Sequence, residues 1–180
     1  MIIENVLKAI DSNSNIDTNV KEDIKNLIVI FNNKFPNIDL SNFAKNIMEL
    51  KIERSNKFIN KRVVKYNPVT NILEFNVDEI NKGYDMKHIL MHGLLNVISS
   101  NNGQTGFIYN DKFKALNAGY TEILTNNLVG NEGDISYLDD EVISTNLIAS
   151  IIGNDILFEC YFTNNAQKLM QTLVDKGVEK

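Results

Sequence analysis

The sequence predicts an α+β fold, mostly helical, with a small sheet or hairpin set between helical segments. Three observations carry this expectation. Ile24, Leu27, Ile28 and Phe31 follow the i, i+3, i+4, i+7 spacing of an amphipathic helix. Two stretches of strand propensity flank the turn sequence Asn67-Pro68-Val69-Thr70-Asn71. Gly130, Gly133 and Gly153 divide the C-terminal part into helix-length pieces. The chain has 180 residues, 43% of them hydrophobic. One compact domain spanning 1–180, with a sizeable core, is expected, and no repeat or linker interrupts it.

Taken in order, residues 2–10 read as a short amphipathic helix and Asp11-Ser12-Asn13-Ser14-Asn15 as a polar break. A second helix runs from about Asn19 to Lys34, and Pro36 ends it. Region 40–60 is ambiguous. Leu40, Phe43, Ala44, Ile47, Met48 and Leu50 look helical after a cap at Asp39 or Ser41. Residues 62–66 and 72–76 read as the two strands of a hairpin. Asp78 or Asp85 starts the next helix, which runs to about Ser100. A loop over 101–106 precedes helices at about 112–129, 137–152, 154–162 and 164–176. Helices, then a small sheet, then helices is an α+β order.

Composition narrows the function. A net charge of −5 and a pI near 5.1 argue against a general nucleic-acid binder. The basic stretch Lys45, Lys51, Arg54, Lys57, Lys61, Arg62 and Lys65 reads as a solvated face, with only Phe58 available for stacking. The N-terminus lacks the pattern of a signal peptide, and no apolar run is long enough to span a bilayer. A cytoplasmic protein without membrane attachment is therefore expected. Cys160, the single cysteine, sits in an apolar run and reads as a core residue. Asp139-Asp140-Glu141 lies near a helix start, where negative charge is favourable, and EF-hand spacing is absent. No phosphate loop, Rossmann fingerprint or Gly-x-Ser-x-Gly elbow occurs.

The two histidines of the chain, His88 and His92, stand one helical turn apart in Lys87-His88-Ile89-Leu90-Met91-His92-Gly93. That spacing puts both imidazoles on one helix face, as a zinc-binding helix requires. In an HExxH hydrolase a glutamate follows the first histidine and takes a proton from the metal-bound water. Ile89 stands there instead and can neither accept nor donate a proton.

Downstream lies Leu116-Asn117-Ala118-Gly119-Tyr120-Thr121-Glu122. With the histidine helix, this segment resembles the gluzincin metallopeptidases, in which HExxH is followed by a helix bearing a Leu-Asn-Glu-Gly-x-x-Glu-like motif. The resemblance covers roughly residues 62–130. More weakly, Ile151 through Phe162 looks like the trailing helices of small bacterial zincin-like proteins. It implies a zincin-like fold with an active-site-type helix and a strand bordering a peptide cleft. It also puts Ala118 at the usual position of the third zinc ligand and keeps the later acidic position as Glu122. For Glu122 the resemblance leaves two roles open: a metal ligand beside His88 and His92, or a hydrogen-bond support behind a ligand histidine.

With the general base replaced by Ile89 and the ligand by Ala118, the site reads as degenerate. A general base is typically worth about 10²–10⁴-fold in rate. The expected function is that of a catalytically inactive peptidase-like protein with a peptide- or protein-binding or regulatory role, and no cofactor. Two alternatives stand beside it. One is a divergent zinc hydrolase in which His88, His92 and Glu122 hold zinc and Tyr120 or Tyr137 assists the oxyanion. The other is a plain interaction module whose histidines do not face a common cleft.

Overall fold

The computed structural model describes residues 3–56 and 62–178. Lys57, Phe58 and Lys61 of the basic stretch, and the predicted helix start at residue 2, lie outside the described residues. The fold is α+β and mostly helical. The elements are α1 (Ile3–Ser12), α2 (Thr18–Lys34), α3 (Ser41–Glu49), β1 (Lys51–Ser55), β2 (Val64–Asn67), β3 (Ile72–Asn76) and α4 (Val77–Ile80). They continue with α5 (Met86–Ile98), β4 (Ser100–Asn101), β5 (Gln104–Thr105), α6 (Lys114–Val129), α7 (Asp139–Ile152), α8 (Asn154–Thr163) and α9 (Ala166–Val178). Among the described residues no single helix is long and apolar enough to cross a membrane.

The ambiguous region resolves into two elements. α3 takes the helical apolar residues, and Leu50 ends it. The polar break helps to hold this boundary. Asn13, fully buried, donates through Nδ2 to the carbonyls of Ile47 and Leu50 at 2.6 and 2.9 Å. These are among the carbonyls that a helix C-terminus leaves without intrahelical partners. β1 then pairs parallel to β3, and β2 pairs antiparallel to it, so the sheet order is β1-β3-β2. The sheet is thus three-stranded, not a hairpin alone. In β1 only Ile52 and Ser55 are partly buried, so this edge strand lacks the alternation that marks a strand in sequence.

α5 lies at the centre. It contacts α2, α3, α6 and β2, and ten of its thirteen residues are buried. A helix apolar on every side belongs inside a protein, which explains why no polar stripe is legible in it. Two glycines set the spacing around the site. A Cβ on Gly93 would stand 2.9 Å from a Leu73 methyl and 3.2 Å from a Val64 methyl, so its absence lets α5 lie close under the sheet. A Cβ on Gly119 of α6 would overlap the Glu141 carbonyl and the Thr145 hydroxyl of α7.

The Gly119 contact generates a prediction. Backbone cannot turn aside as a side-chain tip can, so Gly119→Ala forces α6 and α7 apart. A loss of about 3 kcal/mol, at the upper end of overpacking costs, is expected in urea denaturation. Gly93→Ala meets only movable methyl groups and costs less.

Candidate functional site: a carboxylate between two imidazoles

The site begins with the placement of α5. Of the two candidate starts, Asp85 caps it. Its Oδ1 accepts from the backbone N–H groups of Lys87 and His88 at 2.9 and 3.3 Å. Its Oδ2 accepts from the Glu132 N–H at 3.1 Å, which ties the start of α5 to the loop after α6. Burial alone would raise the Asp85 carboxyl, yet these three N–H donors hold it below its ordinary value. Asp78 instead begins the short α4, where Asn76 accepts from its N–H.

α6 crosses α5 and brings Glu122 between the histidines. His88 Nε2 lies 2.6 Å from Glu122 Oε1, and His92 Nδ1 lies 2.8 Å from Oε2. All three side chains are buried. Asn126, one turn along α6, adds a 3.3 Å bond from Nδ2 to Oε1. The other nitrogen of His88, Nδ1, lies 2.5 Å from the carbonyl oxygen of Gly130, the residue that ends α6. His88, His92 and Glu122 therefore converge, and one helix supplies both acceptors for His88.

These contacts fix protons. A carbonyl oxygen only accepts, so His88 Nδ1 carries hydrogen. An ionised carboxylate also only accepts, so His88 Nε2 carries hydrogen too. With the Glu122 carboxyl held low, His88 is thereby driven toward the imidazolium paired with it. Burial would lower the His88 pKa, but the bonds to Glu122 and to the Gly130 carbonyl raise it above the ordinary 6.5. Burial would raise Glu122, but hydrogen bonds from both histidines bring it below 4.5. For His92 burial prevails over the attraction of Glu122, and its pKa falls. His92 is thus neutral, donates Nδ1–H to Glu122 and keeps a lone pair on Nε2.

His92, with Ala118, Asn96 and Asn117, lines a cleft of about 900 Å³. Arg62 and residues of β2 form its other side. Asn117 braces this wall, donating to Asn96 Oδ1 at 3.2 Å and accepting from the Phe107 N–H at 2.9 Å. Tyr137 packs edge-on against His92, with ring centroids 5.2 Å apart, and its hydroxyl accepts from the Val63 N–H at 3.3 Å. Tyr120 belongs to a separate aromatic cluster with Phe107 and Tyr161. Ile89 is fully buried in the core, and Ala118 presents only a methyl group. Cys160 is likewise buried, and burial pushes its thiol pKa up.

The geometry can be set against a zinc site. Two nitrogen or oxygen donors at about 2.0–2.1 Å on a tetrahedral zinc stand about 3.3 Å apart. The 2.6 and 2.8 Å separations here are hydrogen-bond lengths, shorter than that. Each carboxylate oxygen is taken by a different imidazole. Among the described residues, no group of three His, Cys, Asp or Glu side chains is disposed to hold a metal ion. Zinc would require the carboxylate to withdraw from both rings. The sequence names Tyr137 as an oxyanion helper, Arg62 as part of a solvated basic face and Gly130 as a helix stop. The structure instead packs Tyr137 against His92, pairs Arg62 with Glu141 at the cleft and turns the Gly130 carbonyl onto His88. Gly130 is visible in sequence only as a helix stop, and nothing local marks its carbonyl as a histidine acceptor.

Two outcomes follow. A nitrogen-15 NMR titration should place the His88 pKa above 6.5 and that of His92 below it, and in Glu122→Gln the His88 pKa should drop. The second concerns stability. Glu122, with its pKa lowered, contributes fully above 4.5, and that contribution is lost as pH falls through the lowered value. His88, raised, contributes fully below 6.5 and loses it as pH rises through the raised value. The stability difference between wild type and Glu122→Gln, measured by urea denaturation, should therefore be largest between pH 4.5 and 6.5 and shrink on both sides. Its size there should be about 3 kcal/mol, as for breaking a buried charge pair. No protein-family model matches the chain, and neither a curated protein nor a solved structure is detectably similar to it.

Proposed function

We propose that this is a non-catalytic cytoplasmic protein on a zincin-like framework, whose cleft receives an extended segment of a peptide or protein partner. The observation that carries the reading is the position of Glu122. Its carboxylate engages both imidazoles, so the groups that would hold and activate a catalytic metal are bonded to one another. Ile89 and Ala118, at the positions of the base and the third ligand in the family the sequence resembles, carry no functional group.

The cleft supports the ligand class. β2 lies at an edge of the sheet. The Asn76 N–H bonds the Val63 carbonyl, so the ladder pairs 63 with 76, 65 with 74 and 67 with 72. By the alternation of an antiparallel pair, the backbone groups of Val64 and Tyr66 face away from β3. An extended peptide adds to such an edge through main-chain bonds. Beside it, His92 Nε2 offers an acceptor and Arg62 a cation. Arg62 is held by Glu141 at 3.0 Å. The convergence of His88, His92 and Glu122 keeps a divergent zinc hydrolase as the competing reading.

Metal content and cleavage separate the two. Protein purified without chelator should carry zinc far below one equivalent, and a mixed peptide library with added zinc should stay uncut. Near-stoichiometric zinc together with cleavage that His88→Ala abolishes would establish the hydrolase instead. For binding, an affinity screen of the same library should recover extended peptides whose binding Tyr66→Pro removes and Tyr66→Ala weakens less. Proline deletes the outward N–H and is tolerated on an edge strand. Equal effects of the two substitutions would contradict strand addition.

A further inference from the structure

The C-terminal helices carry an apolar face that the core does not use. On α7, Ile143, Leu147 and Ile151 are 60%, 64% and 49% exposed. They recur every four residues and so form one stripe along the helix. Ser144, Asn146 and Ser150, all exposed, are small polar neighbours that leave room for another backbone to approach. Singly exposed leucines need no explanation, but a contiguous apolar patch on a helix marks a contact surface.

The charge around the stripe identifies its occupant. Residues 139–163 contain Asp139, Asp140, Glu141, Asp155 and Glu159 and no lysine, arginine or histidine. Glu141 is paired with Arg62 and Glu159 with Lys168. Among the described residues, Asp139, Asp140 and Asp155 form no ion pair, and all three are exposed. The stripe thus has uncompensated carboxylates at the start of α7 and just past its end. α8 leaves α7 at 110°, so the two do not continue as one rod.

We infer that α7 is a docking surface for an amphipathic helix of a partner protein, with an apolar face bordered by lysine or arginine. The apolar face covers Ile143, Leu147 and Ile151, and the basic borders meet the acidic ends. The same charges disfavour other occupants. A second copy packed antiparallel about Leu147 would bring the acidic start of each α7 to the end of the other copy's α7, just past which Asp155 lies, like toward like. An anionic membrane surface would be repelled, since such surfaces are recognised by basic clusters. This inference uses no part of the cleft and stands apart from its reading.

The probe is a synthetic peptide of about 18 residues with a leucine stripe and lysine flanks, long enough for five helical turns. A second peptide replaces each lysine with glutamate. The full chain should bind the lysine peptide at least about tenfold more tightly than the glutamate peptide by fluorescence anisotropy. The preference should fade at high salt, where screening is short-ranged. Leu147→Asp should abolish binding. Asp139→Asn with Asp140→Asn should weaken the lysine peptide several-fold and, by removing like-charge repulsion, not weaken the glutamate peptide. Thermal melts check that the variants fold, and if Leu147→Asp does not, the asparagine pair decides alone. Equal binding of the two peptides overturns the inference. So does a dimer in sedimentation that Leu147→Asp dissociates, or binding to phosphatidylserine vesicles tighter than to the lysine peptide.

Discussion

One carboxylate, held between two imidazoles in the interior, organises this protein. Glu122 joins α6 to two successive turns of α5. The Gly130 carbonyl and the Asp85 carboxylate extend the connection to the end of α6 and the loop beyond it. The crossing of these two helices is therefore specified by directional bonds as well as by packing. The directional part matters because α5 is apolar on nearly every side. An all-apolar helix has no preferred rotation about its axis, and the two rings supply one.

Close packing around the crossing is set by what is missing. Gly93 admits Leu73 and Val64 from above, and Gly119 admits the Glu141 carbonyl of α7 from the far side. The second approach links both regions proposed as interaction surfaces. Glu141 lies in the first turn of α7 and also holds Arg62 at the rim of the cleft. A change in the seating of α7 would shift Arg62, so the cleft and the α7 stripe share a structural element although they present different surfaces.

How much of this could be read from sequence depends on how local each cause is. The fold class was legible because periodicity and turn chemistry are local. The start of α5 was legible as one of two, Asp78 or Asp85, since a capping carboxylate acts on N–H groups two and three residues away, and Asp85 is the one that does so. The convergence of His88, His92 and Glu122 was legible only as reach, through the four-residue spacing and a motif one helix later. β1 was not legible, because its order comes from pairing with β3 and little of it is buried. The role of Asn13, which closes the end of α3 across more than thirty residues of chain, was equally hidden. The proton positions needed the Gly130 carbonyl. From spacing alone the two histidines look equivalent, yet their surroundings drive the pKa of His88 up and that of His92 down.

That difference bears on why so costly a group persists in a core. Withdrawing an imidazolium and a carboxylate from water costs several kcal/mol each, and their attraction roughly offsets this. Hydrophobic residues of similar volume would fill the space about as well, so net stability does not account for the network. Orientation does. With Nδ1 committed to Glu122, His92 has one tautomer and one ring direction, and its lone pair is fixed on Nε2. The charged His88 keeps Glu122 ionised, and the ionised Glu122 keeps His92 in that tautomer. An apolar replacement of the trio would fill the space at the crossing but remove both the bonds that set the rotation of α5 and the fixed acceptor that His92 brings to the cleft wall. The network is thus better understood as a means of presenting His92 than as a contribution to the stability of the core.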